Sequence, residues 1–590
     1  MKLLKRRTVL MSILGTVLLS GVMVVPASLI TSLNYIGLHA LVCLGLVLLT
    51  GMAGLTSFGQ AAFVGLGAYT SALLVTKLGW SPWASLPVSL LMAGVTAYVL
   101  GWLTIRLSSH YLVLGTMAWG ISIYHLFANL PRLGGHNGIG GVPSITIPGL
   151  QLDNQQTFYL LIWGAVIAAF VATRNLLNSR EGRAIRSLRD SLLSQSFGID
   201  VTRLRVIVFV LAALLAGLSG WLNAHYLAVV NPGPFGINVS VDYLFMAVVG
   251  GVSSLAGALV GPVLVETLRT VVRDTVPGLT GVGGSFEIII FGLVVIMLLQ
   301  GSGGGVMSVL SRWLPKPGVP QAPDRAERLP RRQQPTSNEQ VLEVRGLTRR
   351  FGGLVAVSNI DFELQSGELL GVIGPNGAGK STLFNLLTGA IAPSDGSVSF
   401  RGARITGASP RTIAALGVAR TFQHVRLRAD MTVLENVALG AYGRGKAGIL
   451  QAALRLDRHE EARCLFEAQI QLDRVGLGKL ANHKAGALAL GQQRILEIAR
   501  ALASDPVLLL LDEPAAGLRY QEKQALGELL KQLRTEGMSM LLVEHDMDFV
   551  MSLVDRLVVM QYGQRIAMGS AEAVQSDPRV IEAYLGGIEG

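Results

Sequence analysis

The chain has 590 residues, 51% of them hydrophobic and only 15% charged, with 70 glycines and a formal net charge of +11. That length excludes a single domain, and the apolar excess excludes both a disordered chain and a wholly soluble one. Two cysteines, Cys43 and Cys464, stand far apart, one in an apolar run and one in a polar half, which excludes a disulfide framework.

Composition shifts along the chain. Residues 9–310 hold the long apolar runs, and residues 340–590 read as an ordinary globular domain. The basic residues sit beside apolar segments: Lys2, Lys5, Arg6 and Arg7 open the chain, and an arginine cluster spans 174–205. Cytoplasmic loops of membrane proteins carry such clusters, so the charge is assigned to topology rather than to nucleic acid. Residues 1–30 resemble a signal peptide, but the run at 9–30 exceeds a signal core and further spans follow at once. An uncleaved first helix is expected.

Runs of about 20 apolar residues place spans at 9–30, 33–53, 60–78, 84–105, 111–130 and 157–173. The next loop, with Arg174, Arg180, Arg183, Arg186, Arg189, Arg203 and Arg205, is too polar to span; 183–193 reads as a short surface helix. Further spans are expected at 206–227 and 285–300. Between them, 241–272 is interrupted by Gly250, Gly251, Gly257, Gly261 and Pro262, and reads as one tilted span or two short broken ones. Close helix packing explains these glycines, with a pore-lining role as the alternative.

Residues 301–338 form a linker: a Gly-rich stretch, then Pro315, Pro317, Pro320, Pro323, Pro330 and Pro335 among charges, which favours extended, semi-stiff chain. The expected division is a transmembrane domain at 1–300, a Gly/Pro-rich linker at 301–338 and a soluble domain at 339–590.

Within the soluble domain, Gly374, Pro375, Asn376, Gly377, Ala378, Gly379, Lys380 and Ser381 match G-x-x-x-x-G-K-[ST], followed by Thr382. An apolar strand precedes the motif and a helical segment follows it, the context that a phosphate-binding loop requires. The glycines let backbone N–H groups turn onto phosphates, with the helix N-terminus behind them. Lys380 is placed to reach the β- and γ-phosphates, and Ser381 to ligate Mg2+. Downstream, five apolar residues at 507–511 form a buried strand ending in Asp512 and Glu513. Asp512 is assigned to the Mg2+ shell and Glu513 to polarising the attacking water. An ATPase must face the cytoplasm, which demands an even number of crossings. Two broken spans in 241–272 give about ten, or about eight if an early segment is re-entrant.

With these residues in view, 341–590 resembles the ATP-binding subunit of ABC transporters. The resemblance implies that Gln423 contacts Mg2+ and senses the permease, and that His545 contacts the γ-phosphate. It implies that Phe351 stacks on adenine. Leu488, Ala489, Leu490, Gly491 and Gln492 occupy the signature position, which faces the ATP of an opposite subunit. Two departures stand out. Ala489 replaces the usual serine, removing a hydroxyl donor worth roughly 10²–10³ in rate by analogy with oxyanion contacts. Arg519 stands where an aspartate is common.

Details at Phe351, Arg494, Arg500 and Val580 are similar to the ATPase of branched-chain amino-acid uptake systems. Gly51 to Tyr69, Gly182 to Asp190 and Phe197 to Asp200 are similar to the partner permease. The chain is therefore expected to be a polytopic α-helical membrane domain fused to an α/β P-loop ATPase domain of ABC type with a helical subdomain. The resemblance implies ATP and Mg2+ as cofactors and the bacterial cytoplasmic membrane as location. The implied partners are a second permease and ATPase (or a second copy) and a periplasmic or lipid-anchored solute-binding protein. The 183–205 loop resembles the segment that docks on the ATPase near Gln423, with a solvated, topology-setting loop as the equal alternative. Urea or short-chain amide uptake is the alternative within import. A half-exporter and a non-hydrolysing ATP-gated scaffold are the alternatives outside it.

Overall fold

The computed structural model describes residues 26–105, 109–147, 150–152, 155–280, 292–293, 296–297, 300, 304–313, 320–336 and 339–585. The chain divides into two compact units, Met1–Leu177 with Thr202–Pro317 and Asn178–Val201 with Gly318–Gly590.

In the first unit, Pro26 caps a helix at Ala27–Leu46 that runs straight on as a π-helix, Val47–Met52. The break expected between 9–30 and 33–53 is absent, because no Gly or Pro interrupts residues 27–36; most of the 9–30 span lies outside the described residues. Helices Gln60–Lys77, Pro82–Thr104, Ser109–Asn129 and Gln155–Leu177 follow close to their expected places. The polar loop is shorter at both ends than expected: Arg174 closes the helix before it, and Arg203 and Arg205 open the helix Val201–Leu227 after it. Long arginine stems lie along apolar helix ends at little cost, so charge alone misplaced these boundaries. Among the described residues, five helices are long and apolar enough to cross a membrane.

The 241–272 stretch is broken into two helices, Ile237–Gly250 and Gly257–Thr280, turning at Gly251 with φ 110°. The glycines serve close packing. A Cβ on Gly250 would lie 2.0 Å from the Gly257 carbonyl oxygen, and one on Gly261 would lie 1.9 Å from that of Met246. The expected 285–300 span lies largely outside the described residues.

The second unit is built on a six-stranded sheet ordered Val418–Arg420, Leu508–Asp512, Ser539–Val543, Leu369–Ile373, Arg556–Gln561 and Gln564–Gly569; only the last strand is antiparallel. The strands Leu369–Ile373, Leu508–Asp512 and Ser539–Val543 are buried at every position, as continuous apolar runs in a two-faced parallel sheet should be. A four-stranded antiparallel sheet carries Gln340–Phe351 and Leu354–Gln365. Helices Val433–Gly440, Arg458–Arg474 and Leu490–Ala503 close a separate core around Cys464.

The proline-rich part of the expected linker keeps an irregular course but is fastened to this unit. Leu329 is buried in the helical core beside Val433 and Cys464. Arg444 donates to the Leu329 and Pro330 carbonyls at 3.2 Å. The Arg332 N–H donates to Asp505 at 2.5 Å, and Arg401 donates to the Gln333 carbonyl at 3.1 Å. The strap thus joins the helical core to the sheet core.

Candidate nucleotide site

The strand Leu369–Ile373 delivers the chain to Gly374, and the helix Lys380–Leu387 starts six residues later. Gly374 has no room for a side chain: a Cβ would lie 2.1 Å from the Met560 carbonyl oxygen. Gly377 adopts φ 81° facing open space, so its backbone can approach a ligand. Lys380 is buried, and its ammonium donates to the Gly374 and Pro375 carbonyls at 2.7 and 3.0 Å. Burial lowers its pKa, while Glu513 and Asp512 act against that shift. The loop is therefore curled around its own lysine, with Asn376 and Ser381 exposed at the rim.

Asp512 ends the strand Leu508–Asp512 and is buried. Its N–H donates to the Thr421 hydroxyl at 3.2 Å, and Arg420 lies 3.6 Å from one carboxylate oxygen. The other oxygen, Oδ1, is buried without a hydrogen-bond partner. Burial pushes the Asp512 carboxyl up to about 6, with Arg420 pulling it down and Glu513 adding to the rise. A buried, unpaired carboxylate oxygen is the hard donor that Mg2+ takes, so Asp512 fits the ion.

Glu513 sits at φ 47°, an uncommon conformation for a side chain of its size. Gln423 donates to its carboxylate at 3.1 Å, and His545 Nδ1 lies 3.9 Å from the same oxygen. His545 is exposed, held by its N–H donating to Glu544 at 3.2 Å. The fold thus gathers Lys380, Gln423, Asp512, Glu513 and His545 at one end of the parallel strands. Phe351 lies at the end of its strand, exposed, with the Arg349 guanidinium 4.6 Å from its ring centroid.

Family models for a branched-chain amino acid transport system permease component match residues 28–299, for an ABC transporter residues 357–516, and for a branched-chain amino acid ATP-binding cassette transporter residues 564–589. The high-affinity branched-chain amino acid transport ATP-binding protein LivG of Escherichia coli K12 is 44% identical over 252 residues, covering 42% of this chain and 99% of LivG. BraF of Pseudomonas aeruginosa, of the same description, is 43% identical over 42% of this chain and 98% of its own length. The chain belongs to the branched-chain amino acid family of ABC transporters. A crystal structure of a nucleotide-free ATP-binding cassette aligns at 33% identity over 42% of this chain and 98% of that chain, with a TM-score of 0.38.

In this branched-chain amino acid ABC transporter, a permease region and an ATPase domain that hydrolyses ATP to drive transport share one polypeptide. Of the residues at the expected signature position, Leu488 and Ala489 precede the helix Leu490–Ala503, and Leu490, Gly491 and Gln492 form its first turn. Ala489 gives that helix no side-chain cap; the Gln492 side chain instead accepts the Ala489 N–H at 3.3 Å. Gly491 is held under Glu522, whose carboxylate oxygen would be 2.3 Å from a Cβ. Arg519 turns its N–H to the same Glu522 at 2.9 Å and precedes the helix Tyr520–Thr535.

The basic loop of this transporter is not solvated. Residues 178–201 form two helices, Arg180–Ser187 capped by Ser179 and Ser191–Gln195 capped by Asp190, where one helix over 183–193 was expected. Arg183 is buried in a bidentate pair with Glu461, one bond of 2.9 Å. Arg186 meets Glu435 at 2.7 Å. Arg180 donates to the Tyr442 and Ala447 carbonyls at 2.9 and 2.6 Å. In the reverse direction, Arg426 clasps Asp190 at 2.9 and 3.0 Å. Leu193 and Phe197 pack on Phe422, the neighbour of Gln423.

Sequence reasoning missed four supports. Arg420 faces Asp512 and also donates to Asn385 and Thr388 at 3.1 and 2.8 Å. Thr421 fixes the Asp512 backbone. Glu544 accepts from the Ala515 N–H at 2.6 Å. Glu497 accepts from the Arg426 N–H at 2.8 Å and pairs with Arg500 at 3.0 Å. A charged residue inside a strongly apolar strand or helix face was the available signal for all but Thr421.

Proposed function

We propose that the chain couples ATP hydrolysis to import of branched-chain or related amino acids across the bacterial cytoplasmic membrane, with its ATPase on the cytoplasmic side. The carrying observation is the match of one continuous chain to both the permease and the ATP-binding components of branched-chain amino acid transport. The assigned domains are the permease at 1–300, the linker at 301–338 and the ATP-binding domain at 339–590. A second permease and a second ATPase, or a second copy of this chain, complete the assembly, and a periplasmic or lipid-anchored solute-binding protein delivers the substrate.

The site residues act as follows. Backbone N–H groups from Gly374 to Thr382 line the triphosphate, and Lys380 leaves its two carbonyl partners for the β- and γ-oxygens. Phe351 offers a ring face to adenine. Ser381, Asp512 and Gln423 would hold Mg2+, which supplies neutralising charge to the phosphate oxygens. Glu513 orients the attacking water and takes its proton, and His545 holds the γ-phosphate. Leu488 to Gln492 face the nucleotide of the opposite ATPase. The docked segment at 178–201 passes closure of the ATPase pair to the permease through Phe422 and Gln423.

Labelled leucine, isoleucine, valine and urea offered to the cognate solute-binding protein, followed by uptake into cells carrying this chain, test the reading. Saturable uptake of the three amino acids supports it; uptake of urea alone overturns it.

A further inference from the structure

We infer that a cavity of about 320 Å³ within the permease unit is the point where the transported amino acid is recognised as a zwitterion, an inference that rests on the import reading above. Helices Ala27–Leu46, Val201–Leu227, Ile237–Gly250 and Gly257–Thr280 form its walls. Its polar lining includes Tyr35, His39, Asn223, Asp242, Glu266 and Arg269.

Asp242 stands on the short apolar helix Ile237–Gly250, and Glu266 and Arg269 on the helix packed beside it; charged side chains around a cavity of a membrane domain mark solute pathways. Arg269 reaches Asp242 on the neighbouring helix at 3.0 Å. Glu266 stands one turn before Arg269 on the same helix and lines the same space. The cavity therefore offers one guanidinium and two carboxylates, which match the carboxylate and ammonium ends of an α-amino acid. Asn223 Oδ1 and His39 Nδ1 are buried without hydrogen-bond partners, a cost that a polar ligand removes.

The rest of the lining suits an aliphatic side chain. Leu38, Val239 and Met246 present an apolar wall. His39 packs edge-on against Tyr243 at 5.5 Å between ring centroids, which stiffens one side. The volume lies at the small end of ligand pockets, about 300–1,000 Å³, and suits one amino acid rather than a peptide. Urea and neutral amides bring no charge to Arg269 or Glu266, so the same lining separates them from an amino acid.

The test is equilibrium binding of labelled leucine to the purified full chain in lipid nanodiscs, with isoleucine, valine and urea as competitors. Saturable binding is expected, displaced by isoleucine and valine and not by urea, and weakened at least about tenfold by Asn223→Leu and by Arg269→Gln. Asp242→Arg combined with Arg269→Asp restores a helix-to-helix pair with its charges exchanged, and leucine binding should stay weak. Recovery to wild-type affinity would make the pair structural and overturn the proposal. So would displacement by urea, absence of binding by wild type, or unchanged binding in both single variants. Should Arg269→Gln fail to fold, the volume-matched Asn223→Leu decides. Leucine uptake by native cells with and without the gene is measured in parallel. Uptake that depends on the gene while binding contradicts the expectation removes the cavity alone; uptake that does not depend on it removes the import reading.

Discussion

Gln423 donates its side-chain amide to the Glu513 carboxylate at 3.1 Å. Phe422, its neighbour in sequence, is packed under Leu193 and Phe197 of the docked segment. One short stretch of backbone therefore carries both the hand-hold on the segment and the hydrogen bond to the carboxylate assigned to water activation. Replacing that carboxylate with an amide, Glu513→Gln, should lower ATP hydrolysis by about 10²–10⁴-fold while nucleotide is still retained. Phosphate release measured beside equilibrium ATP binding checks this; equal turnover in the two proteins would remove Glu513 from the reaction.

Ala489 leaves the helix Leu490–Ala503 without a side-chain cap. Ala489→Ser supplies a hydroxyl that can accept a helix N–H and can also donate to a phosphate across an ATPase pair. The expected result is a gain of about 0.5–2 kcal/mol in stability and a faster steady-state hydrolysis. Thermal unfolding and turnover are read on the same preparation, and a variant stabilised but no faster would limit the residue to capping.

Arg183 is buried against Glu461, and Arg186 pairs with the buried Glu435. Arg183→Ala leaves Glu461 facing a void, a change worth about 3–5 kcal/mol when a buried partner is lost. Amide exchange across residues 178–200 should quicken, and uptake should fall. The docking is also pH-dependent. Burial raises the Glu435 pKa, but Arg186, the Thr432 N–H and Arg183 together hold it below the usual carboxylate range. A depressed folded pKa stabilises above the unfolded value and is lost as pH falls through the folded one. Protection of 178–200 should therefore hold at neutral pH and decay below about pH 4.3, and Glu435→Gln should flatten that dependence.

Leu329 and Cys464 share one apolar core. Burial pushes the Cys464 thiol up to about 11, so it should resist alkylation at pH 7 to 8 in the folded chain. Leu329→Ala should cost about 2–5 kcal/mol and Leu329→Asp more, freeing the strap and opening Cys464 to maleimide. Labelling followed by mass spectrometry of the Cys464 peptide reads this directly. Unchanged labelling in Leu329→Asp would mean that the strap does not seal the core.

The glycine-rich turn before Lys380 and the carboxylates after the buried strand were legible as local structure because each is a run of adjacent residues whose spacing is set by backbone geometry. The break at Gly250 and Gly251 was legible because glycine clusters interrupt an apolar run visibly. Docking of the basic loop was offered only by resemblance, with a solvated loop as the equal alternative, since its acidic partners Glu435 and Glu461 lie in a distant segment and a run of arginines looks the same solvated or paired. The strap was hidden for a related reason: prolines announce an extended course, but a single Leu329 does not announce the core that receives it. The helix start at Val201 was obscured by arginines whose aliphatic stems the helix end accommodates.

In the proposed cycle Lys380, released from the Gly374 and Pro375 carbonyls, grips the phosphates whose hydrolysis drives the permease half of the same chain. The most direct measurement is ATP-dependent accumulation of labelled leucine in membrane vesicles bearing the wild-type chain or Lys380→Ala. Accumulation with wild type and loss to background in the variant is the predicted result; equal accumulation in both would contradict it.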